Sequence, residues 1–351
     1  MSKIIETSTI IPSVVGIGDI NLGLLSAGKL RRGTQETPHV IVWNGTQFLV
    51  GTGVEQFTRS HERMDMERLG EGQDAQALTR VALAELTGPA HQMTASIVVG
   101  FPVHVMQDKA LASQILRKLR SWLAGEQRFT LDGADYQILI ESVQAMAQPA
   151  GAFFAWGLNN AGKWARPAAD LDALVVICDN GFNTVDKFAV QGGNVVGKFT
   201  GGETAGIRRA AETLIHEVKT KYGVNLTRHE ADQYLRAGKP VLSCWQGEIE
   251  LLPLTQQALE SAAAQVGDLL ETSWGNGKQF RHLLFTGGGS ELLKQHLLRR
   301  YPHGVVLSNP VLANALGLAR YGRRIFKSSR TVIGLDPGFG GFKAVALTLD
   351  A

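Results

Sequence analysis

The chain has 351 residues, and this length predicts two domains because a single hydrophobic core rarely grows beyond about 250–300 residues. Apolar residues make up 44% of the chain and charged residues 19%, which are ordinary globular values and exclude disorder, collagen and coiled coils. The 35 basic and 32 acidic residues nearly balance, so the net charge of +3 does not indicate a nucleic-acid-binding or membrane-binding surface.

Cysteine usage and the N-terminus predict a soluble cytoplasmic protein. Cys178 and Cys244 are the only cysteines, and each lies in an apolar stretch, which is typical of free thiols in a reducing compartment. Neither cysteines nor histidines have the spacing of a zinc site. The first ten residues lack a secretion-signal pattern, and no apolar run reaches the roughly 20 residues that a membrane helix needs.

Strand-like and helix-like segments alternate along the first half of the chain. Turn pairs such as Asn44–Gly45 and Asp132–Gly133 separate apolar runs, and helical spacing of apolar residues alternates with short buried runs. The predicted elements are a hairpin over 39–53, a helix over 74–86, a strand over 95–102, a helix over 108–123, two strands joined at Asp132–Gly133, and a helical stretch after Gln148–Pro149.

The second half repeats this alternation, which favours an α/β fold with mixed sheets. Thr227 and Glu230 form a capping-box pattern that predicts the start of a helix. The predicted elements are a strand over 173–179, helices over 203–222 and 255–274, a strand, glycine loop and helix over 282–293, a helix over 309–321, and a terminal strand pair over 331–351.

One internal repeat organises the chain. Residues 176–190 align without gaps on residues 333–347, so that Asp179 matches Asp336 and Gly181 matches Gly338. Each copy contains an apolar strand, an Asp at its end, a glycine turn and a returning strand. We call them the mid-chain hairpin and the C-terminal hairpin.

The repeated pattern suits polyphosphate chemistry. A glycine turn lets backbone N–H groups bind phosphate oxygens without interference from side chains. An Asp beside the turn would repel phosphate, unless a Mg²⁺ ion lies between them and is held through water. Lys343 could return over its turn and neutralise phosphate charge. Two such hairpins facing each other would bind a polyphosphate from both sides, although either one alone could be an ordinary hairpin.

A third glycine loop strengthens the prediction of a nucleotide site. Residues 286–290, Thr-Gly-Gly-Gly-Ser, lie between a predicted strand and a predicted helix. Successive glycines would let the backbone pack flat against an adenine or ribose, with a helix N-terminus nearby. Taken alone, the loop could be a simple strand-to-helix turn.

These motifs resemble those of the superfamily of actins, heat-shock chaperones and sugar kinases. Residues 336–343 are similar to its first phosphate motif, residues 179–184 to its second, and residues 286–290 to its adenosine motif. Residues 100–102 and 309–321 resemble its two interdomain connecting segments. The resemblance covers nearly the whole chain and is closest to bacterial and archaeal plasmid-partition actins of the ParM and StbA type.

The resemblance implies an α/β fold of two actin-like domains, each a ribonuclease-H-like mixed sheet flanked by helices, with nucleotide in the cleft between them. Domain I would comprise residues 1–165 and 314–351, and domain II residues 166–313. In the family the first phosphate motif opens the chain, whereas here it closes it. Placing residues 331–351 ahead of Ser2 restores the usual order, because the last strand would then run into residues 3–16 as one hairpin. The chain therefore resembles a circular permutant cut at a surface turn.

The site residues implied by the resemblance bind ATP or ADP with Mg²⁺. Asp179 and Asp336 would hold the ion through water, and Gln148 would orient the attacking water, although Gln148 could instead cap the helix at Pro149. Asn180 and Asn183 depart from the small residues usual in the family. The implied nucleotide-binding residues are Gly338, Phe339, Gly340, Gly341, Lys343, Gly181, Phe182, Asn183, Thr184, Gly201, Gly202 and Glu203 at the start of the predicted helix 203–222, and Gly287, Gly288 and Gly289.

The resemblance leaves three functions open. The first is an ATPase whose ATP hydrolysis is coupled to self-assembly into filaments, in plasmid or DNA segregation through an adaptor protein without direct nucleic-acid contact. The second is a small-molecule kinase, and the third is a non-polymerising nucleotide-binding scaffold. The sequence does not decide between ATP and GTP.

Overall fold

The computed structural model describes residues 3–17, 37–58, 65 and 67–350. The strands of these residues are β1 Ile4–Pro12, β2 Val15–Ile17, β3 His39–Trp43, β4 Thr46–Val50, β5 Gln92–Phe101, β6 Gly125–Leu131, β7 Ala134–Ala147, β8 Val175–Asn180, β9 Val185–Gln191, β10 Asn194–Val195, β11 Gly201–Glu203, β12 Val241–Cys244, β13 Gly247–Glu250, β14 His282–Thr286, β15 Val305–Val306, β16 Thr331–Pro337 and β17 Gly341–Leu349.

The helices of the same residues lie between these strands, and short 3-10 turns occur at Val54–Gln56, Gly88–Ala90 and Gly197–Phe199. The α-helices are α1 Arg68–Glu71, α2 Gln73–Thr87, α3 Val103–Gln107, α4 Lys109–Leu123, α5 Gln148–Gly157, α6 Ala168–Asp172, α7 Arg208–Tyr222, α8 Arg228–Arg236, α9 Leu252–Trp274, α10 Gly288–Leu292, α11 Lys294–Arg300 and α12 Ala313–Ile325. Within the described ranges, no helix combines the length and apolar character that a membrane span requires.

Two mixed sheets confirm the predicted α/β class. The larger sheet has nine strands in the order β1-β17-β16-β5-β7-β6-β3-β4-β2, and β5 runs parallel to both β16 and β7. The smaller sheet has the order β10-β9-β8-β14-β15, with β11 also paired to β9, and β14 runs parallel to both neighbours. Each sheet has its own apolar cluster, one including Leu78 and Phe101 and the other including Trp274 and Phe285.

Helices α5 and α12 pack against each other and link the two sheets. Phe153 of α5 lies in one cluster with Ile177 of β8, and Ala315 of α12 lies in another with Val345 of β17. At their crossing the backbones touch, because a Cβ added at Gly317 would lie 1.6 Å from the Gly151 carbonyl oxygen. The crossing therefore admits only glycine at this position.

The first and last strands of the chain pair with each other. β1 runs antiparallel to β17, with Ile4 opposite Leu349 and Pro12 opposite Gly341. The Asp350 amide donates a hydrogen bond to the Lys3 carbonyl at 2.8 Å. The predicted pairing of the two segments is confirmed, and the circular permutation stays a prediction, as do the domain boundaries.

Most predicted elements occur with shifts of a few residues, and one prediction is wrong. Asn44 and Gly45 have φ of 48° and 72°, as a tight hairpin turn requires, and the Thr227 capping box is present. The helix predicted from Glu203 begins instead at Arg208. Residues 201–203 form β11, because their backbone pairs with β9.

An ion-pair cluster on the larger sheet predicts a pH-dependent stability. His39 Nε2 lies 3.0 Å from Glu85 Oε1, and Nδ1 lies 2.7 Å from Asp132 Oδ2. The hydrogen bond that the His39 ring donates to Glu85, opposed by partial burial and joined by the one that it donates to Asp132, raises the pKa of His39 to about 9. A histidine whose pKa is higher in the folded state than in the unfolded chain stabilises the fold. The full stabilisation is present at pH values below the pKa of the unfolded chain, about 6.5. This stabilisation is lost as the pH rises through 9.

We therefore expect the wild-type free energy of unfolding to fall between pH 7 and pH 9.5 by about 1 kcal/mol more than that of His39→Gln, after solvent screening is included. Urea denaturation of both proteins across this range measures the difference. Parallel pH profiles for the two proteins would show that the cluster does not contribute.

Candidate functional site

The two repeated hairpins have the same internal register. In the mid-chain hairpin Asp179 stands opposite Asp186, and in the C-terminal hairpin Asp336 stands opposite Lys343. We call residues 181–184 the mid-chain turn and residues 338–340 the C-terminal turn. The repeat found in the sequence is therefore also a structural repeat, with a lysine in one copy where the other has a carboxylate.

The two turns meet at one pocket. A Cβ added at Gly340 would lie 3.0 Å from Phe182 Cβ, so the tips of the turns are in contact. The pocket has a volume of about 260 Å³ and is lined by residues of both turns, of β16 and β17, and of the glycine loop. Its described lining is Ile10, Gln148, Asp179, Gly181, Phe182, Asn183, Thr184, Asp232, Arg236, Gly287, Gly288, Val311, Asp336, Pro337, Gly338, Phe339, Gly340, Gly341 and Lys343.

Side chains from distant segments fix the two carboxylates at the base of the pocket. Gln148 Nε2 donates to Asp336 Oδ1 at 2.8 Å, and Lys343 Nζ lies 3.3 Å from Asp336 Oδ2. Asn314 Nδ2 donates to Asp179 Oδ2 at 2.7 Å. Both carboxylates are almost fully buried. Gln148 thus bonds to a carboxylate and does not cap α5, whose N-cap residue Ala147 has no side-chain cap bond.

Burial and the charges of neighbouring carboxylates disfavour the ionised forms of Asp179 and Asp186. Burial first, and then the charges of Asp336 and Asp186, raise the pKa of Asp179 to about 7 against the hydrogen bond from Asn314. Burial raises the pKa of Asp186 to about 6, although Thr184 and the Val103 amide donate hydrogen bonds to it. A nearby cation would relieve this repulsion.

The residues present fit a divalent cation held mainly through water. The hard donors that line the pocket are two carboxylates from opposite hairpins and the amide oxygen of Asn183, and Asn314 adds an amide oxygen next to Asp179. Both amide oxygens are buried without a hydrogen-bond partner in the described chain. No group of three or more His, Cys, Asp or Glu side chains with metal-binding geometry occurs among the described residues. Mg²⁺ commonly binds with one or two carboxylates and keeps several waters.

The glycine loop closes one side of the pocket. Gly287 has φ of 84°, and a Cβ there would lie 2.4 Å from both the Asn180 carbonyl oxygen and Asp179 Oδ1. Gly288 faces the Arg236 guanidinium, which is held by Asp232 at 2.8 Å. Gly289 packs on the buried Asn180 side chain and is not among the described lining residues.

Residues 201–203 lie outside the pocket lining, which does not support their predicted contact with nucleotide. The backbone of Gly201, Gly202 and Glu203 pairs with Lys187, Asp186 and Val185 in a short strand, so no helix N-terminus begins there. The segment just before α7 contacts the mid-chain turn instead. The Ile207 amide donates to the Gly181 carbonyl, and a Cβ at Gly206 would lie 2.4 Å from the Phe182 carbonyl.

Sequence reasoning missed several residues of the site. Asp232 and Arg236 of α8 line the pocket, and Asn314 of α12 donates a hydrogen bond to Asp179. Neither helix carries a phosphate-binding motif. A partial signal for Asn314 was present, since it lies within the segment predicted to connect the domains. No sequence signal distinguishes Asp232 and Arg236 from a solvent-exposed i, i+4 pair on an amphipathic helix.

Arg68 supports the C-terminal turn from behind. Its Nη2 donates to the Gly338 carbonyl at 3.3 Å, its guanidinium lies 4.9 Å from the Phe339 ring centre, and its Nη1 lies 3.5 Å from Asp74 Oδ2. The Ser13 hydroxyl donates to the same Gly338 carbonyl at 2.7 Å. Arg68 is only 3% exposed, so the turn is held by a buried cation.

Replacing Arg68 with alanine is expected to destabilise the fold by about 3 kcal/mol, because buried Asp74 loses its paired cation. Arg68→Lys keeps the charge and should recover part of the loss. Thermal unfolding of the three proteins measures the effect. Equal melting temperatures for wild type and Arg68→Ala would rule out this supporting role.

Comparisons with known proteins match both parts of the chain. Residues 1–151 match the family model of the N-terminal domain of actin-like proteins, and residues 177–299 match that of the C-terminal part of archaeal MreB-like actin homologues. A search of curated proteins gave no significant match.

Solved structures with the same fold match nearly the full length of the chain. The archaeal actin homologue Ta0583 in complex with ADP has a TM-score of 0.66 and 18% identity, over 91% of this chain and 92% of that one. The apo psk41 ParM protein has a TM-score of 0.64 and 16% identity, over 90% and 91%. A ParM filament from Clostridium botulinum has a TM-score of 0.66 and 17% identity, over 90% and 93%. The solved structures thus show that the chain has the two-domain actin-like fold, and the two family models that match its N-terminal and C-terminal parts are both models of actin-like proteins.

Proposed function

We propose that this chain binds ATP with Mg²⁺ between its two repeated turns, hydrolyses it slowly, and assembles with nucleotide into filaments. The observation that carries the proposal is the convergence of both turns, both Asp residues and the glycine loop on one pocket. The archaeal homologue of the same fold bound to ADP supports nucleotide binding. ParM and Alp12 filaments of this fold support self-assembly.

The backbone amides of the two turns would bind the phosphates. Glycines of both turns line the pocket and place no side chain between phosphate and the backbone, and Lys343 adds a positive charge at its wall. The glycine loop and the Asp232–Arg236 pair would bind the sugar and base, since they line the other part of the same pocket.

Gln148 would position the attacking water. Its amide nitrogen is committed to Asp336, which leaves its amide oxygen as the acceptor for a water molecule. A glutamine orients water without removing its proton efficiently, so turnover is expected to be slow. Asp179 and Asp336 would hold Mg²⁺ through water, and the ion would neutralise phosphate charge that develops as the terminal phosphoryl group leaves.

The proposal also includes a cytoplasmic location and a role for the filaments in plasmid or DNA segregation. Segregation would require an adaptor protein that links the filament to DNA, because the near balance of 35 basic and 32 acidic residues does not indicate a nucleic-acid-binding surface.

Sedimentation and phosphate release test the proposal together. The purified chain is incubated with Mg²⁺ and ATP, ADP, GTP or no nucleotide over a concentration series. We expect pelleting above a critical concentration only with a nucleoside triphosphate, together with slow phosphate release. A chain that binds nucleotide but never pellets would support the scaffold alternative, and phosphate transfer to a metabolite would support the kinase.

A further inference from the structure

A projecting hairpin carries the most exposed large hydrophobic residue of the described chain. Trp245 lies in the two-residue turn between β12 and β13 and is 84% exposed. These two strands pair only with each other in the described ranges. Leu242 and Ile249, which stand opposite each other, pack towards the core of the smaller sheet. The hairpin is therefore anchored by one face and free on the other.

The outer face of this hairpin is acidic. Glu250 stands opposite Val241, and Glu248 stands opposite Ser243, which places both carboxylates on the face turned away from the core. Both glutamates are exposed, and neither makes an ion pair within the part of the chain that the structure describes. The hairpin thus presents an indole ring flanked by two carboxylates, and we call it the tryptophan hairpin.

A cavity elsewhere on the surface has the opposite chemistry. It has a volume of about 520 Å³ and lies between α5, α12 and β15, the edge strand of the smaller sheet. Its described lining includes no acidic residue. We call it the basic groove and define it by Trp156, Arg166, Arg281, His282, His303 and Arg320.

Two arginines of the basic groove remain available to a partner. The exposed Arg166 guanidinium lies 4.5 Å from the Trp156 ring centre, and its Nε donates a hydrogen bond to the Trp156 carbonyl, which leaves its two Nη groups for a partner. The Arg281 side chain is 63% exposed with one ion pair, to Asp170. Arg320 is already committed, since it donates to the Leu158 carbonyl and the Asn160 side chain. The groove therefore offers an aromatic wall and two cationic groups at its rim.

We propose that the tryptophan hairpin of one chain docks into the basic groove of a second copy, an inference that rests on the proposed self-assembly. Trp245 would pack against Trp156 and the Arg166 guanidinium, and Glu248 and Glu250 would face Arg281. The occupant is a second copy because the two surfaces are complementary in charge and Trp245 does not fill the groove of its own chain. Such a contact joins different surfaces, so it propagates head to tail, and it yields an open filament when its rotation does not close a ring.

Single-surface variants of the full chain test the contact. Trp245→Ala removes the hairpin anchor, and Arg166→Glu with Arg281→Glu reverses the charge of the groove. Each is expected to raise the critical concentration for assembly at least about 30-fold, as loss of an interface tryptophan or charge pair does. Val195→Ala, which truncates an exposed apolar residue on the β9–β10 hairpin, is the matched control and should leave the critical concentration unchanged.

Mixing the two variants gives a readout that misfolding cannot imitate. Trp245→Ala keeps its groove, and the double-arginine variant keeps its hairpin, so one intact junction can form between them. Each alone should sediment as a single 37.9 kDa chain, and the equimolar mixture as a heterodimer of twice that mass. Nucleotide binding by each variant, measured separately, confirms that the pocket is intact.

Each outcome of this experiment decides the inference. Wild-type assembly with an unchanged critical concentration in Trp245→Ala overturns it and leaves the proposed function standing. Binding of the groove to an acidic protein other than this chain, with normal assembly of both variants, overturns it as well. A wild-type chain that stays monomeric with every nucleotide overturns both the inference and the proposed assembly. A chain that binds no nucleotide overturns the whole proposed function.

Discussion

Replacing Asp179 with asparagine is expected to lower the rate of ATP hydrolysis by about 10²–10³-fold at saturating Mg²⁺ and ATP. The carboxylate lines the pocket opposite Asp336, and its loss leaves only one of the two charges that would hold the cation. Phosphate release measures the rate. Asp135→Asn, which removes a carboxylate far from the pocket on β7, is the matched control. Turnover within threefold of wild type in Asp179→Asn would contradict the assignment.

The same substitution is expected to stabilise the nucleotide-free fold at pH 8. Burial and neighbouring charges raise the pKa of Asp179 to about 7, so the favourable contribution of its neutral form is present below pH 4 and lost as the pH rises through 7. Asparagine removes the buried charge, and the gain at pH 8 should be roughly 1–3 kcal/mol. Thermal unfolding of wild type and Asp179→Asn at pH 5 and pH 8 tests whether the variant is the more stable protein at the higher pH. A variant that loses both activity and stability would indicate a structural role alone.

The second large effect is expected at the crossing of α5 and α12. Gly317→Ala would place a Cβ 1.6 Å from the Gly151 carbonyl oxygen and 2.5 Å from the Ala155 amide nitrogen. Both are backbone atoms, so relief requires the helices to separate. We expect a loss of at least about 3 kcal/mol in the free energy of unfolding.

Chemical denaturation of Gly317→Ala against Gly197→Ala gives the comparison, because a Cβ at Gly197 meets no atom within 4 Å. Nucleotide affinity should fall together with stability, because α5 carries Gln148 and α12 carries Asn314, whose side chains bond to the two carboxylates of the pocket. Stability within 1 kcal/mol of wild type would show that the crossing is not tightly packed.

The repeated hairpins were predictable because their information is local. Each strand, Asp and glycine turn lies within 15 consecutive residues, and the gapless alignment of Asp179 with Asp336 holds in the structural register. Pairing of the first strand with the last followed from the motif order of the family that the sequence resembles. The tight turn at Asn44–Gly45 was predictable for the same reason, because it depends on two adjacent residues.

Features that depend on partners distant in the sequence were not predictable. Gly206 and Gly317 are required because carbonyl groups of Phe182 and Gly151 approach them, which no local pattern reveals. Apolar spacing placed the start of α7 at Glu203, whereas pairing with β9 draws residues 201–203 into a strand. The bond from Asn314 to Asp179 joins residues far apart in the chain, so only the folded structure brings it out.

A crystal structure of the chain with Mg²⁺ and a non-hydrolysable ATP analogue tests the central claim most directly. The account predicts that the phosphates lie between residues 338–341 and residues 181–184 and accept hydrogen bonds from backbone amides of both turns, with the ion on the side of Asp179 and Asp336. Phosphates bound by one turn alone, or a nucleotide located outside this pocket, would contradict it.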